Sequence, residues 1–371
     1  MRVLIVTGLT HLNPGGFRTS SERFEFELCN ALRDYAGLEV VLISKPTDWQ
    51  LRYQHESRIV GMRDRNSLLG LRDVFGALQA SPEDVVIFWG YDSRLVIHLL
   101  QCRRRYGFRL VNFLYDHFGP AVEQMRAPKA IVARAYFAIA ERAIPHIDGL
   151  IVFNAAAIKR VGFTGPHLTL HPCFPEDRTE IVDLPRSQMD RFTLTYAGTL
   201  AEYNSVRQLL EAFRGLPGDA LELRIFGSGP LESLVREHCM ADHRIHFGGL
   251  LPREAVLSEQ RSANLLLNIR RTDGIINDFA FPSKLLDYIA TGVPTLSTDF
   301  GDVMNPLRNC LFVIRDNSVE AIRAGILEVL NTNPAVIEQQ QRSMKDLMCD
   351  ERFHWPYNAQ STASFLRTLV P

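Results

Sequence analysis

Apolar residues along this chain fall into short, β-branched runs that stop at glycine, with helically spaced stretches between them. Met1–Val6 is the first run, ending at Thr7-Gly8, and it reads as a buried parallel strand. After a turn-forming loop, Asn13-Pro14-Gly15-Gly16, the residues Phe24, Leu28, Ala31 and Leu32 recur at helical spacing. Glu39–Ser44 is the next strand, followed by Val85–Trp89, Leu110–Leu114 and Leu150–Phe153. The alternation of strand and helix predicts a parallel sheet covered on both faces.

The pattern then restarts. Phe192–Tyr196 ends in Ala197-Gly198-Thr199, and Glu222–Phe226 ends in Gly227-Ser228-Gly229. His246–Gly249, Leu265–Ile269 and Pro294–Thr298 complete the second set. The segment His171-Pro172-Cys173-Phe174-Pro175-Glu176-Asp177 reads as the linker. The expectation is an α/β chain of two Rossmann-like domains facing each other across a ligand cleft. Its boundaries are 1–173 for the first domain, 174–350 for the second, and 351–371 for a terminal helix.

Composition narrows the class. At 371 residues the chain is long enough for two ordinary cores, and its 22 Phe, 10 Tyr and 3 Trp exclude bulk disorder. With 41 Lys+Arg against 42 Asp+Glu, no basic excess points to nucleic acid. That balance hides an asymmetry, since residues 1–180 carry a net +3 and the remainder −4. Cys29, Cys102, Cys173, Cys239, Cys310 and Cys349 are scattered, with no pair at zinc-ribbon spacing, as in a reduced, cytosolic protein. The apolar run at the start is too short for a signal peptide, and no stretch reaches transmembrane length.

The window Phe279-Ala280-Phe281-Pro282-Ser283-Lys284-Leu285-Leu286-Asp287-Tyr288-Ile289-Ala290-Thr291-Gly292-Val293-Pro294 is the most informative. Pro282 and Ser283 open a helix and Gly292 ends it. Free N–H groups at the helix start and the Lys284 charge suit an anion. Asp287, one turn on, can accept hydrogen bonds from a ribose diol. A phosphate site and a diol site one turn apart suit a nucleotide; a capped core helix with a solvated lysine and aspartate is the alternative.

This window resembles the C-domain signature of GT-B glycosyltransferases of group 1, the family 4-like type. Other segments resemble the same family in order: Gly15-Gly16 after the first strand, Ala197-Gly198-Thr199-Leu200, Phe226-Gly227-Ser228-Gly229-Pro230, and Phe247-Gly248-Gly249-Leu250-Leu251-Pro252. The resemblance implies a nucleotide-diphosphate sugar as donor. It would be bound by Gly15, Gly16, Gly198, Thr199, Gly227, Leu250, Asp278, Pro282, Ser283, Lys284, Leu285 and Asp287. No cofactor and no metal are expected.

The chain departs from the family pattern in three ways. Where two glutamates separated by seven residues are usual, Phe279 stands at the first position, with Asp278 one residue earlier, and Asp287 replaces the second. The basic pair of the C-domain loop is replaced by Thr199 and by Ala201-Glu202-Tyr203-Asn204. The diphosphate then falls to Lys284, to helix N-termini and backbone N–H groups at Gly198-Thr199, or to Arg270 or Arg271.

In the first half, Leu110–Leu114 leads into Tyr115-Asp116-His117-Phe118-Gly119, past a strand's carboxyl end. The catalytic candidates are His117, Asp116 and Lys284, with Arg18 toward the acceptor. For a retaining transfer the family is thought to use the donor phosphate as base; for an inverting one Asp116 or His117 takes that role. A loop histidine bonded to backbone is the plainer reading of His117. Glu22–Glu27 reads as a solvated helix face. Arg103–Arg109 and Met125–Arg142 mix basic and apolar residues, which suits either core-facing helices or peripheral contact with anionic lipid. Trp355 and Ala359–Leu369 read as a terminal helix returning to the first domain.

The expected partners are the donor and a glycan or lipid-linked acceptor in bacterial polysaccharide or glycolipid synthesis, on the cytoplasmic side. A dehydrogenase is disfavoured because Gly8 with Gly15-Gly16 does not spell GxGxxG. A sugar-nucleotide epimerase and a non-catalytic partner subunit remain as alternatives.

Overall fold

The computed structural model describes residues 1–7, 20–44, 58–61, 68–90, 92–115, 122, 125–174, 191–282 and 284–370. The chain divides into two compact units. The first comprises Met1–Cys173, Asp278–Phe281 and Glu351–Pro371; the second comprises Phe174–Asn277 and Pro282–Asp350.

In chain order the first unit runs β1 (Arg2–Val6), α1 (Ser20–Asp34), β2 (Glu39–Ser44), β3 (Arg58–Gly61), α2 (Leu68–Ala77), β4 (Asp84–Trp89) and α3 (Ser93–Tyr106). It continues with β5 (Arg109–Leu114), α4 (Ala127–Ala143), β6 (Gly149–Val152), α5 (Ala156–Arg160) and β7 (His167–Thr169). All seven strands are parallel, in the order β3-β2-β1-β4-β5-β6-β7. The β4 run Asp84–Trp89 is buried at every position, as a strand covered on both faces must be.

The second unit runs β8 (Phe192–Ala197), α6 (Val206–Arg214), β9 (Leu221–Phe226), α7 (Glu232–Ala241), β10 (Ile245–Gly249), α8 (Arg253–Ser262) and β11 (Leu265–Asn268). After these come α9 (Lys284–Ile289), β12 (Thr295–Thr298), β13 (Phe312–Ile314), α10 (Val319–Leu330) and α11 (Pro334–Met348). Its six parallel strands lie in the order β10-β9-β8-β11-β12-β13. The last helix, α12 (Trp355–Leu369), belongs to the first unit.

Each unit has its own apolar core. In the first, Val3, Ile5, Val85, Ile87 and Phe113 pack with Trp355, Ala359, Ala363 and Leu366 of α12. Phe24 of α1 stands 5.0 Å from the Trp355 ring and 4.9 Å from that of Phe153, centre to centre. Asn358, buried in α12, donates to the carbonyls of Arg352 (2.8 Å) and His354 (3.1 Å). In the second, Leu194, Tyr196, Leu209, Phe213, Ile225, Leu267, Ile322 and Ile326 form the core.

Three strands lie outside the sequence expectation. β3 is short, β7 reads His-Leu-Thr with little apolar content, and β13 is three residues long. Each sits at or beside a sheet edge, where burial on both faces is not demanded. The helix expected from Pro282 to Gly292 is shorter, covering only Lys284–Ile289.

Candidate functional site

An open α/β sheet creates a crevice where strand order reverses, at the carboxyl ends of the two strands flanking that point. In the second unit those strands are β8 and β11. Gly198 and Thr199 follow β8, Arg270 lies two residues past β11, and α9 supplies Lys284. The sequence-predicted residues Gly198, Thr199, Gly227, Pro282, Lys284 and Asp287 all belong to this unit.

The glycines are there because neighbours come too close for side chains. A Cβ on Gly227 would run into the carbonyl oxygen of Gly198, and the residue adopts φ +134°. A Cβ on Gly198 would meet the end of Lys284, with Cε at 2.8 Å. The loops are knitted together, with Gly198 N–H donating to Phe226 O (2.9 Å), Gly227 N–H to Gly249 O (2.8 Å) and Leu200 N–H to Ser228 O (3.0 Å). Tyr196 Oη and Asn204 Nδ2 both donate to the Thr199 carbonyl, each at 2.8 Å. Thr199 itself is exposed on top of this fixed loop.

These bonds correct part of the sequence reading. The Gly198 N–H is already engaged, so it does not offer a hydrogen bond to a diphosphate. Leu285 is fully buried and its N–H donates to Pro282 O (2.8 Å), so it supports α9 and presents nothing to a donor. With α9 only six residues long, positive charge at this place comes chiefly from side chains.

Lys284 supplies it. Its Nζ stands 4.8 Å from the centre of the Tyr196 ring. The residue keeps some exposed surface, yet its amine is enclosed deeply enough that desolvation, aided by the Arg270 charge, lowers its pKa to about 7. Arg270 is nearly buried, its N–H bonded to Thr298 Oγ1 (3.0 Å) and its guanidinium 5.4 Å from the centre of the Phe300 ring. Arg271, the other cation considered, is turned to Asp273 (3.0 Å). Two basic side chains are thus set near each other at the switch point, and burial penalises the charge of Lys284.

Asp287 lies one turn along α9 from Lys284 and is half-buried. Leu250, just past β10, is 77% exposed, an apolar surface open to a flat ligand. Asp278 falls in the first unit. Gly15, Gly16, Arg18, Asp116, His117 and Ser283 lie outside the described residues.

In the first unit one residue was misjudged from sequence. Glu25, expected on a solvated helix face, is 5% exposed. It accepts from Thr7 Oγ1 (2.7 Å) at the end of β1 and from Tyr115 Oη (3.0 Å) just past β5. A carboxylate drawn under the strand ends thus anchors Tyr115. The place of Glu25 on α1, three and four residues before the buried Leu28 and Cys29, was the available signal.

Residues 191–332 match the family of glycosyl transferases group 1. Sucrose-phosphate synthase from Thermosynechococcus elongatus superposes with a TM-score of 0.74 at 16% identity, covering 99% of this chain and 98% of that one. HepE of Anabaena, in complex with UDP, gives 0.73 at 12% identity over 99% and 100%. WaaG, a glycosyltransferase involved in lipopolysaccharide biosynthesis, gives 0.66 at 15% identity over 98% and 99%. A comparison with curated proteins returned no match. The chain has the GT-B fold, two Rossmann-like domains in succession. Within it, the stretch 191–332 of the second half is similar to group 1 glycosyl transferases.

Proposed function

We propose that this protein transfers a hexosyl group from a nucleotide-diphosphate sugar to an acceptor hydroxyl, with retention at the anomeric carbon. The observation that carries the reading is the enclosed Lys284 amine held against the Gly198 loop, with Arg270 close by. The Lys284 amine is poorly solvated, and with a guanidinium close by it is well matched to a diphosphate, whose charge grows as the bond to the sugar breaks. Asp287 accepts hydrogen bonds from the ribose diol, and Leu250 lies against the base. Because relatives of the fold have been solved with UDP and with UDP-glucose, a uridine donor is the first to test.

In the transfer, the anomeric carbon leaves the phosphate oxygen and bonds to the acceptor oxygen. The acceptor proton passes to the departing diphosphate, so no strong protein base is required. His117 would hold a hydroxyl of the donor sugar beside Asp116, and Arg18 would face the acceptor. No metal is assigned a role.

The acceptor we favour is a glycan or lipid-linked saccharide met at an anionic membrane surface. The supporting feature is α4, where Ile131 and Val132 are 67% and 69% exposed and Ile139 is 44% exposed, among Lys129, Arg134 and Arg142. The plainer reading of this segment, apolar residues turned to the core, does not hold for these three. Among the described residues no helix is long and apolar enough to cross a membrane, so any contact would be peripheral.

Thermal shift against UDP-, GDP-, ADP- and dTDP-sugars tests the donor class, followed by calorimetry on Lys284→Ala. Stabilisation by one nucleotide series that Lys284→Ala abolishes is the expected result. No stabilisation by any of them would sink the proposal.

A further inference from the structure

The first unit has a second concentration of charge, at the amino ends of its strands, opposite the carboxyl ends where Thr7 and Tyr115 lie. Arg103 and Arg104 come from the last turn of α3, Arg109 opens β5, and His146 precedes β6. Together with Leu100 and Gly107 they line an open pocket of about 560 Å³.

Arginines in the last turn of a helix often do no more than complement its dipole. Here the contacts differ. Arg103 donates to the carboxylate of Asp148 (2.6 Å) and to the His146 carbonyl (2.9 Å), not to carbonyls of α3. Arg109 reaches the same Asp148 oxygen (3.4 Å), while the other oxygen accepts the Leu110 N–H (2.8 Å). Asp148 is therefore committed to holding two guanidinium groups in place, and it offsets only one of three charges. Arg104 is exposed and makes no ion pair or hydrogen bond among the described residues. Arg109 Nε is buried and meets no acceptor among them.

Converging like charges from separate elements repel each other, and long side chains lose rotamer freedom when fixed. A site that keeps them together is preorganised for an anion. Guanidinium forks match tetrahedral oxyanions in pairs of hydrogen bonds. We propose that this pocket binds a phosphoryl oxyanion, gripped by Arg103, Arg104 and Arg109. Both a soluble phosphate ester and the headgroup of an anionic lipid present that group, and the inference goes beyond the proposed sugar transfer.

The test uses the full chain carrying Lys284→Ala, so that phosphate held in the second unit contributes little. One arm titrates inorganic pyrophosphate by calorimetry. The other floats the protein with phosphatidylcholine vesicles, with and without phosphatidylglycerol. Arg104→Gln, which breaks no bond within the fold, should weaken binding about tenfold, the loss typical of one charge-assisted contact. Arg109→Gln should do the same, and Arg160→Gln, an exposed arginine on α5, should not. Loss confined to the pyrophosphate arm assigns a soluble ligand; loss confined to phosphatidylglycerol vesicles assigns a lipid headgroup. Unchanged binding in both arms for Arg104→Gln and Arg109→Gln overturns the proposal, as does an equal loss with Arg160→Gln.

Discussion

The Lys284 amine lies 4.8 Å from the centre of the Tyr196 ring, and Tyr196 in turn hydrogen-bonds the Thr199 carbonyl (2.8 Å). The ring that sits beside the cation thus also fixes the loop following β8. Burial and Arg270 lower the Lys284 pKa from 10.5 to about 7. In the unfolded chain the lysine keeps its proton up to its ordinary range. Between those values the unfolded state binds more protons, so stability rises with pH. Below about 7 both states are charged and the full cost of burying the ammonium is paid. Urea denaturation from neutral to alkaline pH should show this rising limb, and Lys284→Met should flatten it.

Donor binding has the opposite sign. A diphosphate favours the ammonium and raises its pKa, so binding above about pH 7 takes up a proton. Affinity should fall as pH rises beyond that point, by up to about tenfold per unit for a single linked proton. Calorimetry in buffers of different ionisation enthalpy reads the proton directly. No uptake in the intact protein would remove Lys284 from the diphosphate.

The two glycines of the interlocked loops should fail in different ways. Ala at Gly227 puts a methyl against the Gly198 carbonyl, and backbone cannot easily yield. Together with the φ of +134° this should cost about 3 kcal/mol or more of stability. Ala at Gly198 meets chiefly the flexible end of Lys284. We expect a smaller stability loss, about 1–3 kcal/mol from its backbone conformation, but a clear drop in nucleotide affinity because the amine is displaced. Denaturation and calorimetry on both variants separate the two effects.

The two arginines just past β11 offer an internal comparison. Arg270→Ala should weaken nucleotide-sugar binding, whereas Arg271→Ala, whose guanidinium is turned to Asp273, should leave it nearly unchanged. Asp287→Ala should cost about 1.5–3 kcal/mol of nucleotide affinity through the loss of charge-assisted hydrogen bonds. Equal affinities for the intact protein and Asp287→Ala would rule out the ribose contact.

The major strands were legible because two-sided burial forces continuous apolar runs, as in Val85–Trp89 and Leu265–Ile269. β3, β7 and β13 were not, since three or four residues at a sheet margin carry no period. The glycine loops and the Lys284–Asp287 spacing are local and could be read directly. What sequence did not reveal is long-range: buried Glu25 accepts hydrogen bonds from Thr7 and Tyr115, 18 and 90 residues away. The depressed Lys284 pKa likewise depends on Arg270 and on packing, and the engaged N–H groups of Gly198 and Leu285 depend on partners that spacing does not disclose.

The last helix makes a prediction about folding that does not involve the site at all. Trp355 is 3% exposed and Ala359, Ala363 and Leu366 are fully buried, all within the first unit's core. The unit therefore closes with residues more than 180 positions beyond its other strands and helices. Trp355→Ala should destabilise by about 3–5 kcal/mol, since it removes the ring that packs on Phe24 and leaves a cavity. Because the second unit has its own core, unfolding of the variant should become biphasic, with the first unit melting earlier. Nucleotide binding to the second unit should persist through that first transition. If instead both signals are lost together in a single step, the two cores fold as one cooperative block and the independence argued from their packing is wrong.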